Sequence, residues 1–250
     1  MEEKDVRKMN RMKWYHKIDL GNGVVTPGLE FDPLWDPLKE QIRKIDFSGK
    51  VVLDIGCWDG MWSFEAEKLG AAEVWATDIV SQRSFSDQKW ETLEFAKAQL
   101  KSNIKYREAS VYDIDQVFGE EFDVVIFFGV LYHLRYPQLG IAKLRNVMKP
   151  GAMLLLETAV LLDIEDTIIQ TNFSKIYPLD RSTWNAFSRD SLGSLLDESY
   201  FTQEEYQVIL RQDEERKIGR AFAKATAYRG QCQHHFFPDP FLMKHFVALE

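Results

Sequence analysis

From residue 51 onward the chain alternates short, nearly continuous apolar runs with amphipathic stretches of helical period. The runs predict strands at 51–55 (VVLDI), 73–77 (EVWAT), 104–108 (IKYRE), 122–128 (FDVVIFF) and 152–158 (AMLLLET). Helical spacing predicts helices at 60–69, 85–101 and 137–148, the last stopped by Lys149-Pro150-Gly151. Two helices precede this block, at 3–16 and 33–45, the second with Asp32 as N-cap and Pro33 in its first position. A helix at 189–199 and strands near 205–210 and 218–226 follow it. Apolar strands joined by amphipathic helices form parallel sheets covered on both faces. The expectation is a doubly wound α/β fold around a seven-stranded, mostly parallel sheet. Residues 1–48 read as an N-terminal helical lid, 49–226 as the sheet domain with an insertion at about 160–190, and 227–250 as a surface tail.

Ligands of such sheets bind at the carboxyl ends of the strands. The first of these ends carries VVLDIGCWDGMWSF, residues 51–64. Gly56 permits a tight turn there, and Gly60 lets the next helix begin close to a ligand with its N–H groups exposed. Asp54 ends the strand, where a carboxylate needs a cationic or hydroxyl partner to offset its desolvation. Dinucleotide-binding enzymes use G-x-G-x-x-G at this turn. Here the pattern is D-x-G-x-x-x-G, which suits a cationic cofactor without phosphates better than NAD. Asp78 closes the second strand, where an acid accepts ribose hydroxyls or caps a helix. After the third strand, Ala109-Ser110-Val111-Tyr112-Asp113 is placed to flank an adenine or to serve as a plain loop.

A chain of 250 residues can bury a full core without disulfides or metal. Its net charge of −8 opposes nonspecific attraction to nucleic acid or anionic membrane. The N-terminus runs the other way: Lys4, Arg7, Lys8 and Arg11 share one face of a helix, as a solvated stripe or an RNA contact. MEEKDVRKMNRMK lacks the apolar segment of a secretion signal, and no run approaches 18 apolar residues, so no membrane span is expected. Two cysteines, Cys57 and Cys232, suit a reducing, cytoplasmic setting. GQCQHHFFPDP, with Cys232, His234 and His235, reads as tail rather than metal site.

Together VVLDIGCWDG, the acid closing VWATDI and the strand FDVVIFFGVLYHL resemble class I S-adenosylmethionine-dependent methyltransferases over roughly residues 50–158. The late strands match that family's terminal antiparallel hairpin. The resemblance implies an adenosyl cofactor held by Asp54, Gly56, Gly60 and Asp78, with Cys57, Trp58, Ile79, Ser110, Val111, Phe128 and Gly129 beside it. The family's usual middle glycine is Trp58 here, closing over the methionine portion or capping the core. WYHKIDLGNGVVTPG (14–28), GVLYHLRYP (129–137) and WNAF (184–187) are similar to a narrower group, that of the tRNA wobble-uridine carboxymethyltransferases. That likeness implies a lid in which Trp14, Tyr15 and His16 line the pocket. It also implies carboxy-S-adenosylmethionine as donor, its extra carboxylate held by counterparts of Lys17, Tyr132 and Arg220.

Transfer from a sulfonium is an in-line displacement that chiefly requires alignment. A hydroxyl acceptor also needs a base, for which Tyr132, His133 and His16 are the candidates. The leading expectation is methyl transfer to a small molecule or modified nucleoside. Its alternatives are a tRNA wobble-uridine (carboxy)methyltransferase and a non-catalytic cofactor-binding partner subunit.

Overall fold

The computed structural model describes residues 1–30, 32–82, 89–171 and 182–229, in two compact units, Met1–Ser110 and Val111–Glu250. The first contains helices α1 (Glu3–Met9) and α2 (Asp32–Ile42), then β1 (Val51–Ile55), α3 (Met61–Lys68), β2 (Glu73–Asp78), α4 (Glu91–Leu100) and β3 (Lys105–Glu108). The strands run parallel in the order β3-β2-β1. Register aligns Ile55 with Thr77 and Asp78 with Glu108, so the acid-bearing strand ends finish side by side. Val52, Leu53, Val74 and Ala76 are buried in the strands, and Trp62, Phe64, Leu93 and Ala96 on the helices that cover them. That burial, at about 25 cal/mol per Å² of apolar surface, is the main stabilising term.

The first helix stops well short of residue 16. The buried Trp14 indole donates to the Met9 carbonyl at 3.0 Å, satisfying a helix-terminal acceptor and turning the chain. Residues 14–29 then run as a strap, closed by an Asp19–Val25 bridge and by Thr26, whose hydroxyl donates to the His16 carbonyl at 2.7 Å. Arg11 therefore falls outside α1, and Lys4 and Arg7 pair with Glu2 and Glu3, leaving a weaker basic stripe than the spacing predicts.

The second unit contains α5 (Ile114–Val117), β4 (Phe122–Phe128), α6 (Pro137–Arg145), β5 (Met148–Leu161), β6 (Ile169–Thr171), β7 (Asn185–Phe187), α7 (Arg189–Glu198), β8 (Phe201–Asp213) and β9 (Ile218–Ala227). β5 is its spine, parallel to β4 and β7 and antiparallel to β9, which pairs in turn with β8. The α/β, mostly parallel expectation holds, extended by β6 and β7 inside the expected insertion.

Lys149-Pro150-Gly151 does not stop a helix; it lies within β5. Phe122 pairs with Met148 and Val124 with Met153, so the extra residues bulge out, where a proline without an N–H costs no ladder bond. The helix ends earlier because the buried Arg145 side chain turns to donate to the carbonyls of Met148 (2.8 Å) and Tyr228 (2.6 Å). Cys232, His234 and His235 lie outside the described residues, as does the tail beyond 229. Among the described residues no helix is long and apolar enough to cross a membrane.

Candidate functional site

The turn between β1 and α3 is tied to the end of β2. Gly56 and Cys57 both donate their N–H to the Thr77 carbonyl, at 2.8 and 3.1 Å. Trp58 follows with φ +54, in the left-handed region that non-glycine residues rarely occupy. Its N–H donates to the Asp78 carboxylate at 2.9 Å, which holds it there. The other Asp78 oxygen accepts the Ile79 N–H at 2.7 Å. Gly60, φ +87, opens α3; a Cβ there would stand 3.0 Å from Phe64 Cε2 and 3.3 Å from Leu93 Cδ1, so a side chain would be crowded as well as strained.

Asp54 is 1% exposed, and its carboxylate accepts the Ser63 hydroxyl of α3 at 2.6 Å. Burial pushes its pKa up to about 7, against the opposing pull of the Ser63 hydrogen bond. Ser63 is thus the hydroxyl partner that the sequence called for without naming.

A residue the sequence reading passed over organises this turn. Asp59 is fully buried between Trp58 and Gly60. One of its oxygens accepts the N–H groups of Tyr15 and His16, each at 2.9 Å, and the other bonds His16 Nδ1. The strap is thereby fastened to the turn. The Tyr15 ring lies 4.8 Å from that of Trp58, and the His16 ring packs against Trp35 and Trp62 at 5.3 and 6.2 Å. The available signal was an acid inside a glycine turn and a histidine in the strap, but nothing local joins them.

Of the remaining candidates in this unit, Trp14 is buried edge-on against Phe95 of α4 at 6.0 Å. Ser110 is half-buried beyond Ala109, whose N–H donates to the Asp78 carbonyl at 3.1 Å. Lys17 donates to Asp32 at 2.5 Å, a bond that raises its pKa above the usual lysine value. It lines an open groove of about 540 Å³ along α2 and α3, whose walls include Lys39, Arg43 and Glu65 but neither Asp54 nor Asp78.

In the second unit, Phe128 is buried at the end of β4 and Val111 just before α5. Gly129, φ +71, donates its N–H to the Glu157 carboxylate at 3.0 Å. Glu157, 1% exposed, also takes Arg220, 6% exposed, through two bonds of 2.6 and 2.8 Å. The guanidinium carbon stands 4.3 Å from the Tyr132 ring centre, a cation–π contact, and the Tyr132 ring is 4.0 Å from that of His133. His133 Nδ1 bonds Ser182 through the carbonyl at 3.1 Å and the hydroxyl at 3.0 Å. Tyr132 and Arg220 therefore do meet, with Glu157 as the unforeseen third member. Beside them Arg135 lies 4.1 Å above the Trp184 ring.

Residues 30–206 match the family described as a methyltransferase domain. The chain is 28% identical over 157 residues to the tRNA U34 carboxymethyltransferase of Idiomarina loihiensis, covering 61% of this chain and 45% of that protein. It is 32% identical over 136 residues to the ubiquinone biosynthesis O-methyltransferase of Dechloromonas aromatica, covering 53% of this chain and 56% of that protein. It thus spans about half the length of the curated relatives it matches. Among solved structures, the N-terminal domain of EvdMO1 with SAH bound superposes with a TM-score of 0.65 at 17% identity, over 91% of this chain and 98% of that one, which supports the fold.

Proposed function

Because the chain belongs to the methyltransferase-domain family, we propose that it transfers a methyl group from S-adenosylmethionine to a nucleophilic oxygen, nitrogen or carbon of a small molecule or modified nucleoside. The observation that carries this reading is the pair of buried acids at the neighbouring ends of β1 and β2, Asp54 and Asp78. No phosphate-cradling glycine triplet stands between them. The donor set fits an adenosyl sulfonium. Asp54, protonated at rest up to about pH 7, gives up its proton to meet the methionine ammonium. Each oxygen of Asp78 accepts one N–H, from Trp58 and from Ile79, which fixes the carboxylate at the strand end where a ribose hydroxyl would be met. Gly56, Cys57 and Gly60 form the turn beneath, and Ile79 and Ser110 flank the adenine.

When bound, the donor supplies an electrophilic methyl whose departure discharges the sulfur. The chain's own residues hold the partners in line and take the acceptor's proton. His16, Tyr132 and His133 are the proposed bases. The bonds of His133 Nδ1 to the Ser182 carbonyl and hydroxyl would hold the ring in place for that role. The buried Cys57 thiol suits a cytoplasmic setting.

Carboxymethylation of a tRNA wobble uridine is the second reading, favoured by the name of the Idiomarina relative. It needs a cation for the donor's extra carboxylate, and Lys17 and Arg220 each already hold an internal one, Asp32 and Glu157. Plain S-adenosylmethionine is therefore the better fit. A partner subunit that binds the cofactor without catalysis would share the donor site and lack turnover. Calorimetry with S-adenosylmethionine, its carboxylated form and NAD tests the choice of donor, and methyl transfer to an acceptor separates the enzyme from the partner subunit. Preference for the carboxylated donor promotes the second reading, and binding of NAD alone overturns both.

A further inference from the structure

Resting on that reading, we propose that the Tyr15–Trp58 ring pair recognises the positive charge on the donor's sulfur, making this chain prefer the sulfonium donor to its thioether product. Donor and product share their amino-acid and ribose ends, which Asp54 and Asp78 take in both. They differ by one methyl group and one charge at sulfur, so discrimination needs a group facing that atom. An aromatic face attracts a cation without being a charge that must itself be desolvated.

Trp58 is mounted as such a group would be. It occupies the turn in a left-handed conformation that an unconstrained tryptophan avoids. The Asp78 carboxylate holds its N–H. Next to it, the fully buried Asp59 holds the N–H of Tyr15, which brings the two rings to 4.8 Å and 37°. Both backbones are thus fixed by acids, Asp78 at the end of β2 and Asp59 in the turn. The neighbouring tryptophans serve packing: Trp14, Trp35 and Trp62 are only 4%, 3% and 4% exposed. Trp58 and Tyr15 are half-buried, one on the turn that leaves β1 and the other on the strap fastened to that turn. Methyl transfer removes the charge that the rings attract, so the same contact that favours donor binding favours product release.

The test is calorimetric titration of the full chain with S-adenosylmethionine and with S-adenosylhomocysteine. The parent is expected to bind the sulfonium more tightly. Trp58→Leu should cut the ratio of the two dissociation constants by roughly 3- to 30-fold, the span of a desolvated cation–π contact, mainly through the sulfonium. Trp58→Phe should keep most of the preference. A merely structural role weakens both ligands together and leaves the ratio alone, which overturns the inference. Tyr15→Leu carries the same test if Trp58→Leu fails to fold. A parent that binds neither compound overturns the methyltransferase reading as well. Binding of both with an unmoved ratio overturns this inference alone.

Discussion

Asp59, fully buried, accepts the amide hydrogens of both Tyr15 and His16 on one oxygen and bonds His16 Nδ1 with the other. Asp59→Ala removes three bonds at once and leaves the two amides and the imidazole to find other partners. The expected loss is about 3 kcal/mol or more of unfolding free energy, read from urea denaturation. Asp59→Asn, which can still accept the amides, should recover much of it. Equal losses for the two variants would contradict the clamp.

Asp54 makes a pH signature. Its folded-state pKa of about 7 lies above the ordinary 3.8, so the folded chain binds a proton that the unfolded chain has released. Its contribution to stability is fully present below about pH 4 and is lost as pH rises toward 7, by as much as about 1.4 kcal/mol per unit. Asp54→Asn should flatten that slope. Binding a ligand ammonium should expel the proton, so donor affinity rises with pH and levels off above 7. Calorimetry at pH 6 in two buffers of different ionisation enthalpy would count the proton. Absence of release would remove Asp54 from contact with a cation.

Glu157 and Arg220 form a buried ion pair whose halves depend on each other. Glu157→Ala should cost about 3–5 kcal/mol because the guanidinium is left unpaired. Replacing both with apolar residues of similar volume should cost clearly less than the sum of the single changes. A double-mutant cycle by denaturant unfolding decides this, and additivity would show that the pair is not coupled.

Gly60 and Gly151 separate crowding from backbone strain. Both have positive φ, but a Cβ at Gly151 meets nothing within 4 Å, whereas one at Gly60 meets Phe64 and Leu93. Gly151→Ala should cost about 1 kcal/mol from strain alone, and Gly60→Ala more, with weakened donor binding. Thermal melting of the two variants compares them.

The sequence by itself determined the parts whose signal is local. β1 and β4 stand where their apolar runs predict them, at Val51–Ile55 and Phe122–Phe128, because strand burial follows from consecutive residues. The turn geometry at Gly56 and Gly60 and the strand-end places of Asp54 and Asp78 follow from the same local signal, the interruption of an apolar run near its end. Element boundaries were less legible: β5 runs through Pro150 because a bulge removes the cost of the missing N–H, and α1 stops at Met9, whose carbonyl takes the Met12 N–H and the Trp14 indole as the chain turns. Only the tertiary structure decided the partners of the buried charges. Asp59 meets His16 across 43 residues, and Glu157 meets Arg220 across 63. A carboxylate's need for a partner is written in its own chemistry, but which group answers depends on what folding brings within 3 Å of it once water is excluded.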